Sequence, residues 1–246
     1  MDSKQRIYEC AKILFFEEGF NNTTKRKVSE LSGINQSMIN YYFKELGNVA
    51  AVVFAENYQI LTKRIAPYVD YEKEPFLIDV VFEILSHRIS EMNPSMARFV
   101  TDASREMMFG CDAYNYAARE HNMVLLGLTP ADNSGKLSAE VIERYNLFTS
   151  LKMGIKSYYF SKYSQGDFNK EKFDRYLIFL IKVQMFALGR VFTDEQTAEI
   201  ISKATDITER LLEDNPDLKK PSIYLYHKSI LHEEPVMDLL NNAKFE

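Results

Sequence analysis

The stretch SGINQSMINYYFKELGN carries amide and hydroxyl side chains at helical spacing. Gln36, Ser37 and Asn40 fall around a narrow apolar stripe of Ile39 and Phe43, whereas a core helix repeats apolar residues more densely. Amide and hydroxyl groups form hydrogen bonds with base edges in the major groove of DNA, and a Gln or Asn contacts adenine through two of them. The pattern therefore predicts a helix whose polar face meets a partner outside the protein.

Positive charge is concentrated around this stretch, although the whole chain has a net charge of -5. Between positions 20 and 44 the basic residues outnumber the single acidic one: Lys25, Arg26, Lys27 and Lys44 stand against Glu30. DNA phosphates attract lysine and arginine, so the local balance favours nucleic acid where the overall charge does not.

Short helices must position these side chains. Apolar residues at helical spacing predict a first helix from about Ser3 to Gly19. The Thr24 hydroxyl can cap a second helix, because it accepts amide hydrogens of the first helical turn. We expect Val28 and Leu31 of this second helix to face inward.

A glycine turn leads into the third helix. Gly33 supplies the flexible turn, Ile34 packs into the core and Asn35 caps the helix that follows. Two helices joined by such a turn form a helix-turn-helix, whose second helix enters the major groove. The candidate base contacts are Gln36, Ser37 and Asn40, with Asn35 at the start of the helix. The candidate backbone contacts are Thr24, Lys25, Arg26, Tyr41, Tyr42 and Lys44.

The first fifty residues resemble the DNA-binding domain of the TetR family of transcriptional repressors. The matching features are Gly19-Phe20, Thr23-Thr24, Val28, Gly33-Ile34, and Ile39 followed by Tyr41-Tyr42-Phe43-Lys44. Two positions depart from the family pattern. Asn40 replaces the usual aromatic residue, which should alter the operator sequence, and Leu46 replaces a lysine, which removes one expected phosphate contact.

The rest of the chain predicts a helical body. Only nine glycines and seven prolines occur in 246 residues, which favours long helices, so we expect an all-α protein. The predicted helices cover about 46–66, 75–91, 94–109, 113–126, 138–163, 169–192 and 194–214. The predicted domains are a DNA-binding domain at 1–47, a ligand-binding and dimerisation domain at 48–214, and an extension at 215–246. The extension could cover the dimer surface, close the cavity or be disordered.

The resemblance implies a function for this body. A family member binds a palindromic double-stranded DNA operator as a homodimer, and a small-molecule effector releases it. We expect the dimer to form through the helices near 169–214, because residues 173–192 are apolar on nearly every side. A central helix wrapped by the same chain is the alternative.

Candidate effector contacts lie in the part of the chain rich in Met and aromatic residues. They are Phe99, Asp102, Met107, Tyr114 and Tyr158. Such residues are also typical of an ordinary core. Asp102 forms a helical row with Arg98 and Arg105, which could bind an anionic ligand but is more typical of surface ion pairs.

The remaining patterns do not favour catalysis. Glu83, His87 and Glu91 lie four apart, and we interpret them as the solvated polar side of an amphipathic helix, not as metal ligands. The sequence has no phosphate loop, nucleophile elbow or HExxH motif, so we expect no enzyme, metal or cofactor.

No membrane span or signal peptide is apparent, which predicts a cytoplasmic protein. A helical enzyme or a partner-binding protein carrying a helix-turn-helix-like head is the alternative.

Overall fold

The computed structural model describes residues 2–104, 121–127, 138–163 and 169–219, and none of these residues lies in a strand. The predicted all-α class is confirmed. The helices are α1 (Ser3–Glu17), α2 (Lys25–Ser32), α3 (Gln36–Phe43), α4 (Leu46–Ile65), α5 (Pro75–Met92), α6 (Pro94–Asp102), α7 (Ala139–Tyr163), α8 (Lys170–Ala187) and α9 (Asp194–Asp214). Short 3-10 turns lie at Phe20–Asn22, Ala66–Tyr68 and Pro216–Lys219.

One compact unit contains the described residues of 2–60, 89–104 and 216–219. Its core includes stacked aromatic rings from α1, α4 and α6. The ring of Phe99 lies 5.8 Å from that of Phe15, 5.0 Å from that of Phe16 and 4.9 Å from that of Phe54. Phe99 is fully buried, so this packing determines the position of α6 against α1 and α4.

The second compact unit contains the described residues of 61–88, 121–127, 138–163 and 169–215. Its core consists of apolar side chains from α5, α7, α8 and α9. Buried members include Val81, Leu85, Met153, Leu180, Ile181, Met185, Ile207 and Leu211. The domain boundaries predicted at 47 and 214 stay predictions.

Most predicted helix starts agree with the structure, but two ends do not. Helix α8 ends at Ala187 and not near 192, because Gly189 adopts a φ of +74° and the Arg190 amide donates to the Met185 carbonyl at 2.8 Å. Helix α6 ends at Asp102, where Ala103 leaves the helical conformation, so the prediction of one helix over 94–109 is wrong.

Several predictions fall outside the described residues. They are the effector contacts Met107 and Tyr114, the ion-pair residue Arg105 and positions 220–246 of the C-terminal extension. Of the helix predicted at 113–126, residues 121–126 are described, and residues 121–125 are helical. No helix in the described part of the chain combines the length and apolar character needed to span a membrane.

Candidate DNA-binding surface

Side-chain caps and one glycine define the ends of α2 and α3. The Thr24 hydroxyl accepts from the Lys27 amide at 3.2 Å and begins α2. Gly33, with a φ of +66°, ends it, and its amide donates to the Ser29 carbonyl at 2.9 Å. The Asn35 carboxamide oxygen then accepts from the Ser37 amide at 2.9 Å and begins α3. These contacts confirm the predicted caps at Thr24, Gly33 and Asn35.

Few side chains anchor the two helices to the core. Val28 of α2 and Ile39 and Phe43 of α3 are fully buried, as the sequence predicts. Leu31 is 49% exposed, so its predicted inward position is wrong. The buried stripe of α2 consists of Val28 and Ser32, which are four residues apart, and Leu31 lies beside this stripe.

The remaining face of α3 is open to solvent. Gln36, Ser37, Asn40 and Tyr41 are exposed, as are Thr24 and Arg26 on α2 and the preceding cap position. Tyr42 is half-buried, and its ring lies 5.1 Å from the ring of Tyr41 in an edge-on arrangement. Polar and aromatic groups thus share one solvent-exposed face.

Three of the predicted contact residues are linked by hydrogen bonds. The Lys25 ammonium donates to the Asn40 side-chain oxygen and to the Lys44 carbonyl oxygen, both at 2.6 Å. Lys44 has a φ of +60°, and its amide donates to the Asn40 carbonyl at 3.0 Å. Lys25 therefore links the start of α2 to the end of α3. Arg26 instead pairs with Glu30 at 2.8 Å on the exposed side of α2.

Arg98 has a structural role that the sequence did not indicate. Its guanidinium donates to the carbonyl oxygens of Phe16 at 2.6 Å and Glu17 at 3.0 Å, and both carbonyls belong to the last turn of α1. Arg98 is exposed, as the surface interpretation predicts, and these hydrogen bonds of its guanidinium go to backbone carbonyls of α1. The candidate effector contact Asp102 is half-buried on the same helix.

The second unit contains a ladder of buried charges. Asp79 and Glu83 on α5 pair with Lys152 and Lys156 on α7, and all four side chains are at most 6% exposed. The interpretation of Glu83 as part of a solvated polar side is wrong. Tyr176 of α8 donates to the second oxygen of Glu83 at 3.1 Å.

Neighbouring groups extend this ladder. His121 lies 3.2 Å from Asp79, and the Tyr159 hydroxyl lies 3.1 Å from Nδ1 of His87. Burial opposes the charge on Asp79, but Lys152 and His121 outweigh burial and lower its pKa below the ordinary value of 3.8. No group of three or more His, Cys, Asp or Glu side chains among the described residues is arranged to hold a metal ion.

An exposed apolar surface lies on α7 and α8. It is formed by Leu147, Leu151, Tyr158, Ile178, Phe179 and Phe186. The exposed positions of α9 are mostly polar, and the predicted dimer contact through the helices near 169–214 stays a prediction. A groove of about 730 Å³ lies between the two helices, with Tyr158 and Phe179 among its walls and Lys162, Lys172 and Arg175 among its polar lining residues.

One known protein resembles part of this chain. It is a Bacillus subtilis (strain 168) protein, YttP, described as a probable HTH-type transcriptional regulator. The two sequences are 28% identical over 104 residues, which is 41% of this chain. The chain spans about half the length of this relative, since the match covers 49% of it. No protein-family model matches the chain.

Proposed function

We propose that this chain is a helix-turn-helix transcription regulator that reads duplex DNA with α3. The observation that carries the proposal is the exposed polar face of a short helix whose caps and buried side chains fix it against α2. The similarity to a probable HTH-type regulator supports the same class. Gln36, Ser37 and Asn40, with Asn35 at the helix start, face the bases in this proposal, and phosphate contacts come from the surrounding residues. Those are Thr24, Lys25, Arg26, Tyr41, Tyr42 and Lys44.

The finer assignment follows the TetR-like sequence pattern. Two copies associate through the apolar surface of α7 and α8 and present two recognition helices to a palindromic operator, about 34 Å apart. The exposed Phe179 and Phe186 support this choice, and Leu151, Tyr158 and Phe179 line the same groove, because grouped exposed apolar residues mark interaction sites whereas isolated ones are ordinary. In this proposal α9 contributes less to the dimer than the sequence predicted.

Release by a small molecule completes the proposed mechanism. The groove between α7 and α8 has the volume of a typical ligand pocket, and Tyr158 borders both the groove and the apolar surface. A ligand in this position changes the spacing of the two recognition helices only if it binds one dimer geometry more tightly than the other. The free energy that couples ligand binding to DNA release cannot exceed that difference in binding free energy. The operator-bound dimer is then a repressor that the ligand releases. Phe99 and Asp102 are weaker candidates, because helix packing accounts for the burial of Phe99.

To test this proposal, a random pool of DNA duplexes is mixed with the full chain, and the duplexes that it binds are recovered and sequenced. The proposal predicts enrichment of a two-fold symmetric site. Gln36→Ala is expected to change which sequences are selected, whereas Tyr42→Ala is expected to weaken binding to all of them. Failure to enrich any sequence contradicts the proposal, and equal losses on every sequence for both variants contradict the assigned roles.

A further inference from the structure

The contact between Lys25 and Asn40 lies in the middle of the proposed recognition surface. Asn40 is exposed on α3, one helical turn after Gln36, so the two amide side chains share a face. Lys25 is half-buried at the start of α2, and its ammonium reaches Asn40 across the turn that joins the two helices. The distance of 2.6 Å between Nζ and Oδ1 is that of a strong, charge-assisted hydrogen bond.

Chemistry determines which way the Asn40 carboxamide points. A lysine ammonium carries three donors and no acceptor, so the atom that it contacts must be the oxygen. The carboxamide nitrogen, with its two hydrogens, then points away from Lys25. The assignment of oxygen and nitrogen is usually ambiguous for an asparagine, but this neighbour removes the ambiguity.

Lys25 itself still has donor capacity. One of its three ammonium hydrogens is directed at Asn40 and one at the carbonyl of Lys44. The third is available to a further acceptor. The surface that Asn40 and Lys25 offer together is therefore dominated by hydrogen-bond donors.

We propose that Lys25 and Asn40 form one base-reading unit that favours guanine, in which Lys25 is a positioning residue that holds the Asn40 amide nitrogen toward the DNA. This inference rests on the proposed function. Guanine presents two acceptors in the major groove, N7 and O6, and no donor. An unrestrained asparagine pairs instead with adenine, because adenine offers one donor and one acceptor. The bond from Lys25 takes one of the two lone pairs of the carboxamide oxygen and holds this oxygen at Lys25, so the oxygen is less available to the amino group of adenine.

The inference replaces the phosphate contact assigned to Lys25 above with a positioning role, and the other phosphate contacts are unchanged. A phosphate contact contributes equally to all sequences and adds about one unit to the salt dependence of affinity. A positioning residue changes the preference at one base pair and leaves the other positions as they were. The two roles therefore have separate experimental signatures.

The test compares duplexes selected by the wild-type chain with those selected by Lys25→Met and Asn40→Ala. Wild type is expected to prefer guanine over adenine at one position of each half-site by about fivefold or more. Lys25→Met frees the carboxamide to rotate, so the preference at that position is expected to shift toward adenine. Asn40→Ala is expected to abolish the preference there while retaining the bond from Lys25 to Lys44.

Two additional variants make the result specific. Lys27→Met removes a charge from the same helix, at a residue whose ammonium contacts Glu18 and the Asn22 carbonyl instead of Asn40. It is expected to leave every base preference unchanged. In the double variant Lys25→Met/Asn40→Ala, loss of Lys25 is expected to have no further effect on base preference, because Lys25 acts through Asn40.

The outcomes distinguish this inference from the proposed function. If wild type selects a defined site but Lys25→Met weakens all sequences equally, Lys25 is a phosphate contact and the inference is overturned. A wild-type preference for adenine at the Asn40 position also overturns it. If wild type selects no site, the proposed function itself has failed. Circular dichroism of each variant shows whether loss of the Lys44 contact has unfolded α3.

Discussion

A buried ion pair between α1 and α4 provides a stringent test of the packing that supports α2 and α3. The Lys12 ammonium contacts the Glu56 carboxylate, which also accepts a hydrogen bond from the Tyr8 hydroxyl at 2.7 Å. Lys12 is 4% exposed, Glu56 is 1% exposed and Tyr8 is fully buried. Replacing Lys12 with methionine keeps most of the side-chain volume but leaves the Glu56 charge without its partner.

The expected loss is large. Removing one partner of a buried pair costs about 3–5 kcal/mol, because the other charge stays in a medium that solvates it poorly. Natural domains have unfolding free energies of only about 5–15 kcal/mol, so Lys12→Met is expected to remove a large part of the stability of this unit. Urea unfolding followed by circular dichroism measures the change as a lower midpoint with an unchanged slope.

Two comparisons control this prediction. Lys12→Met/Glu56→Gln also neutralises the carboxylate and retains an acceptor for Tyr8, so it is expected to recover most of the lost stability. Lys73→Met breaks an exposed pair with Asp70, for which we expect a much smaller loss because solvent screens the charges. If Lys12→Met costs no more than Lys73→Met, the reasoning about the buried pair is refuted.

Three further predictions concern other parts of the chain. Thr24→Ala removes the cap of α2 and is expected to cost about 1 kcal/mol in urea unfolding, whereas Thr24→Ser retains it. Ionised Asp79 stabilises the fold above its ordinary pKa of 3.8, because its folded pKa is lower. The stability difference between wild type and Asp79→Asn is therefore expected to shrink as the pH falls below about 4, measured by thermal unfolding. Phe179→Glu is expected to shift sedimentation from dimer to monomer, and an unchanged dimer would contradict the assigned surface.

Local chemistry made the α2 and α3 region predictable from sequence. The Thr24 and Asn35 caps and the left-handed Gly33 depend on contacts within four residues of each position. The buried positions Ile39 and Phe43 follow from helical periodicity. Leu31 was mispredicted because its exposure depends on which side of α2 meets the other helices, and an eight-residue helix offers too few positions to define that side.

Long-range contacts account for what the sequence did not reveal. In the sequence Glu83 falls on a polar stripe, but its partner Lys156 lies 73 positions away, and only the fold brings the two charges together. The same holds for Arg98, whose guanidinium caps a helix more than 80 positions earlier. The bond from Lys25 to Asn40 spans only 15 positions, yet it depends on the geometry of the turn between α2 and α3.

The most direct test of the central claim is the ratio of affinities for the selected duplex and for a scrambled duplex, measured by fluorescence anisotropy across a range of salt concentrations. If α3 reads base sequence, the selected duplex binds about a thousandfold or more tightly at physiological salt, and both affinities fall as salt rises. A ratio near one at every salt concentration would show that α3 does not read base sequence and would contradict the account.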